Sequence, residues 1–312
     1  MKNNDFKVKF WGVRGSYPVV NKDFLKYGGN TSCIEVTAGS HRIILDGGTG
    51  IIPLGDKIFQ EHISSAENVF DRTPMNIIVL LSHIHQDHIQ GLNFFKPMNV
   101  LTTKFSLFGY SGFDSNLDST LSELVFGKSF PINLYDATAD CTIKDITESE
   151  IIILSEKRDT PLIKRISNTQ DIKPEGNDVV ISFMKSNSHP NFGVMCFKIA
   201  YKNKSIIYAT DTECYCGGSK RLEMFAKDAN LLIHDSQYTT EDYLSLVFPK
   251  QGFGHSTFDM AYDVATAANV KKLAFFHFDP SYNDEKLTNI ERIFKSKNKD
   301  YFLAKEGLEI CL

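Results

Sequence analysis

The sequence has little cysteine, no long apolar run and no excess of one charge, and each shortage excludes a class of protein. Six cysteines stand among 312 residues without a repeated CxxC spacing. A disulfide-stapled miniature is therefore excluded. The one close pair, Cys214-Tyr215-Cys216, reads as free thiols, because two thiolates without a second pair do not complete a zinc site. Apolar runs are only about 4–8 residues long, far short of the roughly 18–20 that a membrane span needs. The start, Met1 to Lys9, is polar and charged, unlike a secretory signal. A cytoplasmic protein with no membrane contact is expected. Lys and Arg total 34 against 38 Asp and Glu, a formal charge of -4, so no global basic field collects long nucleic acid by counterion release.

What is present is an ordinary soluble composition, 42% hydrophobic and 23% charged, in a chain long enough for one large domain or two. β-Branched and aromatic runs bounded by glycine at Phe6–Trp11, Cys33–Thr37 and His41–Leu45 read as an N-terminal meander. Ile51–Phe70 follows with helical apolar spacing, then Ile77–Leu81 as a buried strand. After residue 178 strands are expected at Val179–Met184, Val194–Tyr201, Ile206–Ala209, Leu231–Ile233 and Leu273–Phe276. Helices are expected at Ser219–Asp228, Thr239–Leu246, Thr257–Ala268 and Asp284–Ser296. Meander hairpins mixed with strand–helix units point to an α/β protein, its mixed sheets covered by helices. Between the halves, residues 96–177 include the turn-rich stretches Ser111–Asp118 and Ser155–Asp178, the latter with Lys173-Pro174-Glu175-Gly176. The region reads as an insertion or decoration, either a lid beside the site or a solvated surface.

The chemistry concentrates in Ser82-His83-Ile84-His85-Gln86-Asp87-His88, where three imidazoles and a carboxylate leave a strand and enter a helix within one turn. Such donors suit Zn²⁺, and Mn or Fe where carboxylates join. Side chains this closely spaced cannot all surround one ion, which suggests two metals sharing the turn. Further donors stand where other strands are expected to end, at Asp46, His189, Asp211, His234-Asp235 and His277. Ligand crevices of α/β proteins lie outside the carboxyl ends of strands.

With Ala209-Thr210-Asp211-Thr212 between His189 and His277, these segments stand in an order that resembles the metallo-β-lactamase superfamily over almost the whole chain. Gly12-Val13-Arg14-Gly15-Ser16-Tyr17-Pro18, Gly28-Gly29-Asn30-Thr31-Ser32, Asp46-Gly47-Gly48-Thr49-Gly50 and Gly254-His255-Ser256-Thr257 resemble the branch with tRNase Z and phosphodiester-cleaving proteins. The resemblance implies one domain over 1–312, a four-layer αββα sandwich with a dinuclear metal site at one sheet edge. It implies that His83, His85 and His189 hold one metal, that Asp87, His88 and His277 hold the other, and that Asp211 bridges them. Two ions about 3.5–4 Å apart bring the pKa of a shared water towards 7 and polarise a phosphoryl or carbonyl oxygen. Asp87 also orients that water. His255, placed before a helix that Ser256 can cap, is the candidate to protonate the leaving group, and the resemblance implies that Asp235 orients it. Asp235 stands where the branch usually carries Glu.

Asp46 reads either as the acceptor of a ligand imidazole's free N–H or as a turn aspartate. Arg14 and Asn30 are candidates for a substrate phosphate, with Gly15 and Gly29 allowing close backbone approach. His41 and His62 read as surface or packing residues, and His234 as a buried structural one. Phe94-Phe95 and Phe248-Pro249 are candidates to flank a substrate ring. The expected function is metal-dependent hydrolysis of a cyclic nucleotide or another small phosphodiester. Alternatives are an RNA-processing endonuclease of tRNase Z type, a lactone or thioester hydrolase, and a non-catalytic metal sensor. A small phosphodiester is the expected partner, with a homodimer left open.

Overall fold

The computed structural model describes residues 5–112, 116–128, 130–136, 138–167, 175–215 and 218–312. Two sheets form. The first runs in the order β15 (Glu309–Cys311), β1 (Phe6–Gly12), β2 (Cys33–Ala38), β3 (His41–Leu45), β4 (Met75–Leu80), β5 (Thr103–Gly109) and β6 (Asp140–Asp145). The second runs β14 (Tyr301–Leu303), β13 (Leu273–Phe276), β12 (Leu231–Asp235), β11 (Lys204–Ala209), β10 (Val194–Tyr201), β9 (Val179–Ser186), β7 (Glu150–Leu154) and β8 (Leu162–Arg165).

Side-chain alternation sorts the layers. Along β3 and β4, Ile43, Leu45, Ile78 and Leu80 join Ile181, Phe197 and Tyr208 of the second sheet in one core. Their neighbours Ile44, Ile77 and Val79 point the other way, onto Ile51, Leu54 and Ile58 of α1 (Ile51–Ile63), as the two-residue period of a strand requires. On the far side, Phe258 of α6 (Phe258–Ala267) and Phe294 of α7 (Asp284–Lys297) pack on Phe275 with ring centroids 5.5 and 4.7 Å apart. Each such side chain taken from water contributes roughly 1.5–3 kcal/mol. The result is the expected αββα sandwich.

Element ends differ from expectation in physically readable ways. The helix expected to reach Phe70 stops at Ile63, and Asn68 caps a separate 3₁₀ turn over Val69–Asp71 that leaves Phe70 exposed. The helix expected over 239–246 is only the single turn α5 (Thr240–Tyr243), because the following Leu246 and Val247 have no apolar surface to cover and stand in solvent. Residues 96–177, expected as an insertion, instead supply β5 and β6 to the first sheet and β7 and β8 to the second. Phe105, Leu107 and Ile152 from this stretch are buried. The polar stretch 111–118 leads into α3 (Leu117–Leu124), while 113–115 and 168–174, including Lys173-Pro174, lie outside the described residues, as does Cys216.

Strand direction then places the site. β3 runs parallel to β4, and β11, β12 and β13 are mutually parallel. β9 is antiparallel to β10, itself antiparallel to β11, so β9 also runs with β11. The carboxyl ends of all six meet at one edge, where Met195 N–H donates to the Ser82 carbonyl and Tyr208 O–H to Asp46 across the sheets.

Candidate metal centre

Each donor enters the site at the point where a strand runs out. β4 ends at Leu80, and the following segment carries His83 and His85 into α2 (Gln86–Ile89), a single turn that places Asp87 and His88. Asp46 and His277 directly follow β3 and β13, and Asp211 stands two residues beyond β11, with φ of 60°, 66° and 50°. Left-handed backbone at three such positions turns each side chain out of the sheet and is held only because the surroundings over-determine it.

Two groups of donors result. One atom each from His83, His85 and His189 lie mutually within 4.8 Å, as do one each from Asp87, His88, Asp211 and His277. Asp211 faces both groups. Its Oδ1 is 3.1 Å from His88 Nε2 and 3.4 Å from His277 Nε2, while its Oδ2 is 3.7 Å from His83 Nε2 and 3.8 Å from His189 Nε2. His88 Nε2 and His277 Nε2 approach to 3.2 Å, and His189 Nε2 and His85 Nδ1 to 2.9 Å.

Second partners show that these nitrogens suit a cation. His88 donates its Nδ1–H to Asp46 Oδ2 at 2.8 Å, so that Nε2 is the ring nitrogen turned to the other donors, where a metal ion would take the place of its proton. His189 donates Nδ1–H to the Gly254 carbonyl at 3.2 Å. His83 Nε2 is buried without a hydrogen-bond partner, a costly condition that a bound cation relieves. Imidazoles and carboxylates converging in this way, with the far ring nitrogen hydrogen-bonded, fit two divalent metal ions.

Burial lowers the pKa of His83, His85 and His189, favouring the neutral form a ligand needs, whereas at His88 burial is outweighed by Asp211, Asp87 and Asp46, which raise it well above the ordinary imidazole value. Burial pushes the carboxyls of Asp87 and Asp211 up, but His88 and His277 outweigh it and hold both well below the carboxylate range. Asp46 is fully buried yet saturated: Ser82 N–H at 2.7 Å, Ser82 O–H at 2.8 Å and Tyr208 O–H at 2.7 Å join His88 in donating to it.

Beside these groups, His255 stacks on His277 with centroids 5.1 Å apart at 17°. It donates Nδ1–H to Asp235 Oδ2 at 2.8 Å, so the shorter Asp does reach it. Burial lowers the His255 pKa. The helix cap differs from expectation: Thr257 accepts from Met260 N–H, while Ser256 O–H donates back to the Thr212 carbonyl.

Arg14 and Asn30, expected at a phosphate, have other work. Arg14 is fully buried and donates to the carbonyls of Gly28 at 2.8 Å and Tyr282 at 2.7 Å, its pKa lowered by burial to about 10. Asn30 donates through Nδ2 to Glu306 at 3.1 Å. His234 is buried with Nδ1 on its neighbour's carbonyl, and burial lowers it to about 4. His62 is buried on the Thr73 carbonyl, and His41 is half-buried. Phe95 lies in the core, Phe94 is exposed, and Phe248 lines a cleft with Tyr238 and Lys250. A different cleft of about 200 Å³ opens beside His83 and His85, walled by Ile84, Tyr110, Pro190 and Phe192. Sequence reasoning missed Ser16, whose N–H donates to Asp87 Oδ2 at 2.7 Å, and Ser82 and Tyr208 on Asp46. The only clue to Tyr208 is a hydroxyl in an otherwise apolar strand, which needs a buried partner.

A family model described as a beta-lactamase superfamily domain matches residues 41–278. The chain is 26% identical to a protein named ribonuclease Z from Picrophilus torridus, over 97% of this chain and 95% of the relative. The short form of human tRNase Z shares the fold with a TM-score of 0.58 at 16% identity, over 97% of this chain and 98% of that one. A structure described as a diphosphatase of the PhnP family has a TM-score of 0.63 at 13% identity, over 98% and 97%.

Proposed function

The chain belongs to the metallo-β-lactamase superfamily of hydrolases, and from that premise we propose that it is a phosphodiesterase acting on a cyclic nucleotide or another small phosphodiester. The observation that carries this reading is the His255–Asp235 pair set beside both donor groups, at 2.8 Å and stacked on His277. An alkoxide leaving a phosphodiester needs a proton, and a carboxylate-held imidazole is suited to give it. The 200 Å³ cleft with Tyr110 and Phe192 on its walls offers apolar surface to the remainder of a nucleotide-sized molecule.

His83, His85 and His189 would hold one divalent ion, Zn²⁺ in the first place with Mn or Fe as alternatives, and Asp87, His88 and His277 the other, with Asp211 shared. Bound there, the ions supply Lewis acidity at the phosphoryl oxygen and acidify the attacking water. Asp87, anchored by the Ser16 amide, orients the incoming water. Asp235 accepts the Nδ1–H and fixes the His255 ring; the imidazolium form, protonated at both nitrogens, gives its Nε2–H to the leaving oxygen and recovers a proton from solvent. Asp46 holds His88 in the tautomer a ligand requires.

Purified protein loaded with Zn²⁺ or Mn²⁺ should hydrolyse bis(p-nitrophenyl) phosphate and a 2′,3′- or 3′,5′-cyclic nucleotide. A protein shown to hold both ions that turns over no phosphodiester overturns the proposal. A second reading, an RNA-processing endonuclease of tRNase Z type, is favoured by the near full-length likeness to a protein named ribonuclease Z. Cleavage of a precursor tRNA with a higher kcat/KM than the cyclic nucleotide would select it.

A further inference from the structure

Glu213 is a buried carboxylate with no cationic partner among the described residues, and the groups that donate to it are Tyr243, at the end of α5, and the loop that runs from there to His255. Its Oε1 accepts from the Tyr243 hydroxyl at 2.5 Å and from Gly252 N–H at 2.9 Å, and its Oε2 from Gly252 N–H at 3.1 Å and Gly254 N–H at 3.0 Å. Its own N–H donates to the Ser188 hydroxyl at 3.0 Å, one residue before His189. Glu213 therefore sits between the loop of His189, the loop of His255 and, two residues back in its own chain, Asp211. The middle of the clamped segment is held through Lys250, whose N–H donates to the Tyr243 carbonyl at 3.1 Å and whose ammonium lies over the Phe248 ring, but the amides of Gly252 and Gly254 are held by Glu213. Between Tyr243 and Gly254 the side chains of Leu246, Val247 and Phe248 face solvent, and Gly252 and Gly254 adopt φ of +83° and +89°.

We propose that Glu213 is the positioning residue for proton transfer: by gripping two amides of the preceding loop it sets where the His255 ring stands. A charge-assisted bond from a buried carboxylate to a backbone N–H is stronger than a neutral one. Without it the amides of Gly252 and Gly254 lose their acceptor, while the Lys250 contacts hold only the middle of the loop. The same grip orients the Gly254 carbonyl that accepts from His189, linking one metal ligand to the proton donor through a single peptide unit. The proposal rests on the reading of His255 as the proton donor.

The test compares a substrate whose leaving group needs a proton with one whose leaving group does not. The intact, metal-loaded protein and its Glu213→Ala, Glu213→Gln and His255→Ala variants are assayed on 2′,3′-cyclic AMP, which releases an alkoxide, and on bis(p-nitrophenyl) phosphate, which releases a stabilised phenolate. General acid catalysis is typically worth 10²–10⁴-fold, and a displaced donor loses part of it. The kcat of Glu213→Ala is expected to fall at least about tenfold further on the cyclic nucleotide than on the aryl ester, with little change in KM. Glu213→Gln, which keeps one accepting oxygen, is expected to give an intermediate ratio. His255→Ala showing this selectivity while both Glu213 variants slow the two substrates equally overturns the role of Glu213 alone. His255→Ala without the selectivity overturns the proton-donor reading and this proposal with it. Where Glu213→Ala fails to fold, the ratio for Glu213→Gln decides.

Discussion

Asp46 shows at the residue scale how one side chain can serve three neighbours: it accepts hydrogen bonds from Ser82, His88 and Tyr208, each donor reaching it within 2.8 Å. An amide there would point its own hydrogens at some of these donors. Asp46→Asn should weaken the ion held by His88 by about 10–100-fold, in line with the loss of other partners behind metal ligands. Competition against a chromophoric chelator reads this directly, and unchanged affinity would deny Asp46 that role. From sequence, Asp46 reads equally well as a turn residue before two glycines. What separates the readings is Tyr208, 162 residues away, a distance no local spacing reveals. Arg14 illustrates the reverse. In a glycine-rich segment it reads as a phosphate ligand, yet its guanidinium closes the backbone carbonyls of two distant turns.

At the scale of elements, the turn after β1 shows how closely backbone and ligand approach. A Cβ on Gly15 would lie 2.4 Å from His277 Cε1 and 2.6 Å from its Nδ1, distances at which one of the two must shift. Gly15→Ala should therefore displace His277 and lower occupancy of the second ion and kcat by about tenfold or more. The fold should persist, because the turn lies outside the strands. Metal analysis with a thermal melt checks this, and a variant retaining two tightly bound ions would show that the turn yields instead. Elements legible in the sequence were those with a strong apolar signal. β10 and β13 agree with expectation at both ends because their runs stop at turns. β5 and β6 went unread because Lys104 and Ser106 interrupt the first and the second alternates exposed and half-buried residues as a sheet edge. Their existence depends on a neighbour to pair with, which periodicity alone does not report.

Across the whole molecule, the donors come from positions 83 to 277 and from both sheets, so the site exists only once the two sheets have packed. The His-rich turn and the order of later donors were readable because each stands where an apolar strand stops. The loop grip by Glu213 and the saturation of Asp46 are not, since the first joins loops far apart in the chain and the second needs Tyr208 of the other sheet. No helix among the described residues is long and apolar enough to cross a membrane. The formal charge of -4 includes carboxylates that face the donor groups, so it does not describe the field that a bound phosphodiester meets once cations are present. The most direct test of the account is a titration of chelator-stripped protein with Zn²⁺ or Mn²⁺, following hydrolysis of 2′,3′-cyclic AMP against metal bound per chain. Activity is expected to rise to its plateau as the second ion binds, at two per chain, and Asp211→Asn to abolish the plateau. Full activity with one ion bound, or two bound ions without hydrolysis of any phosphodiester, would contradict it.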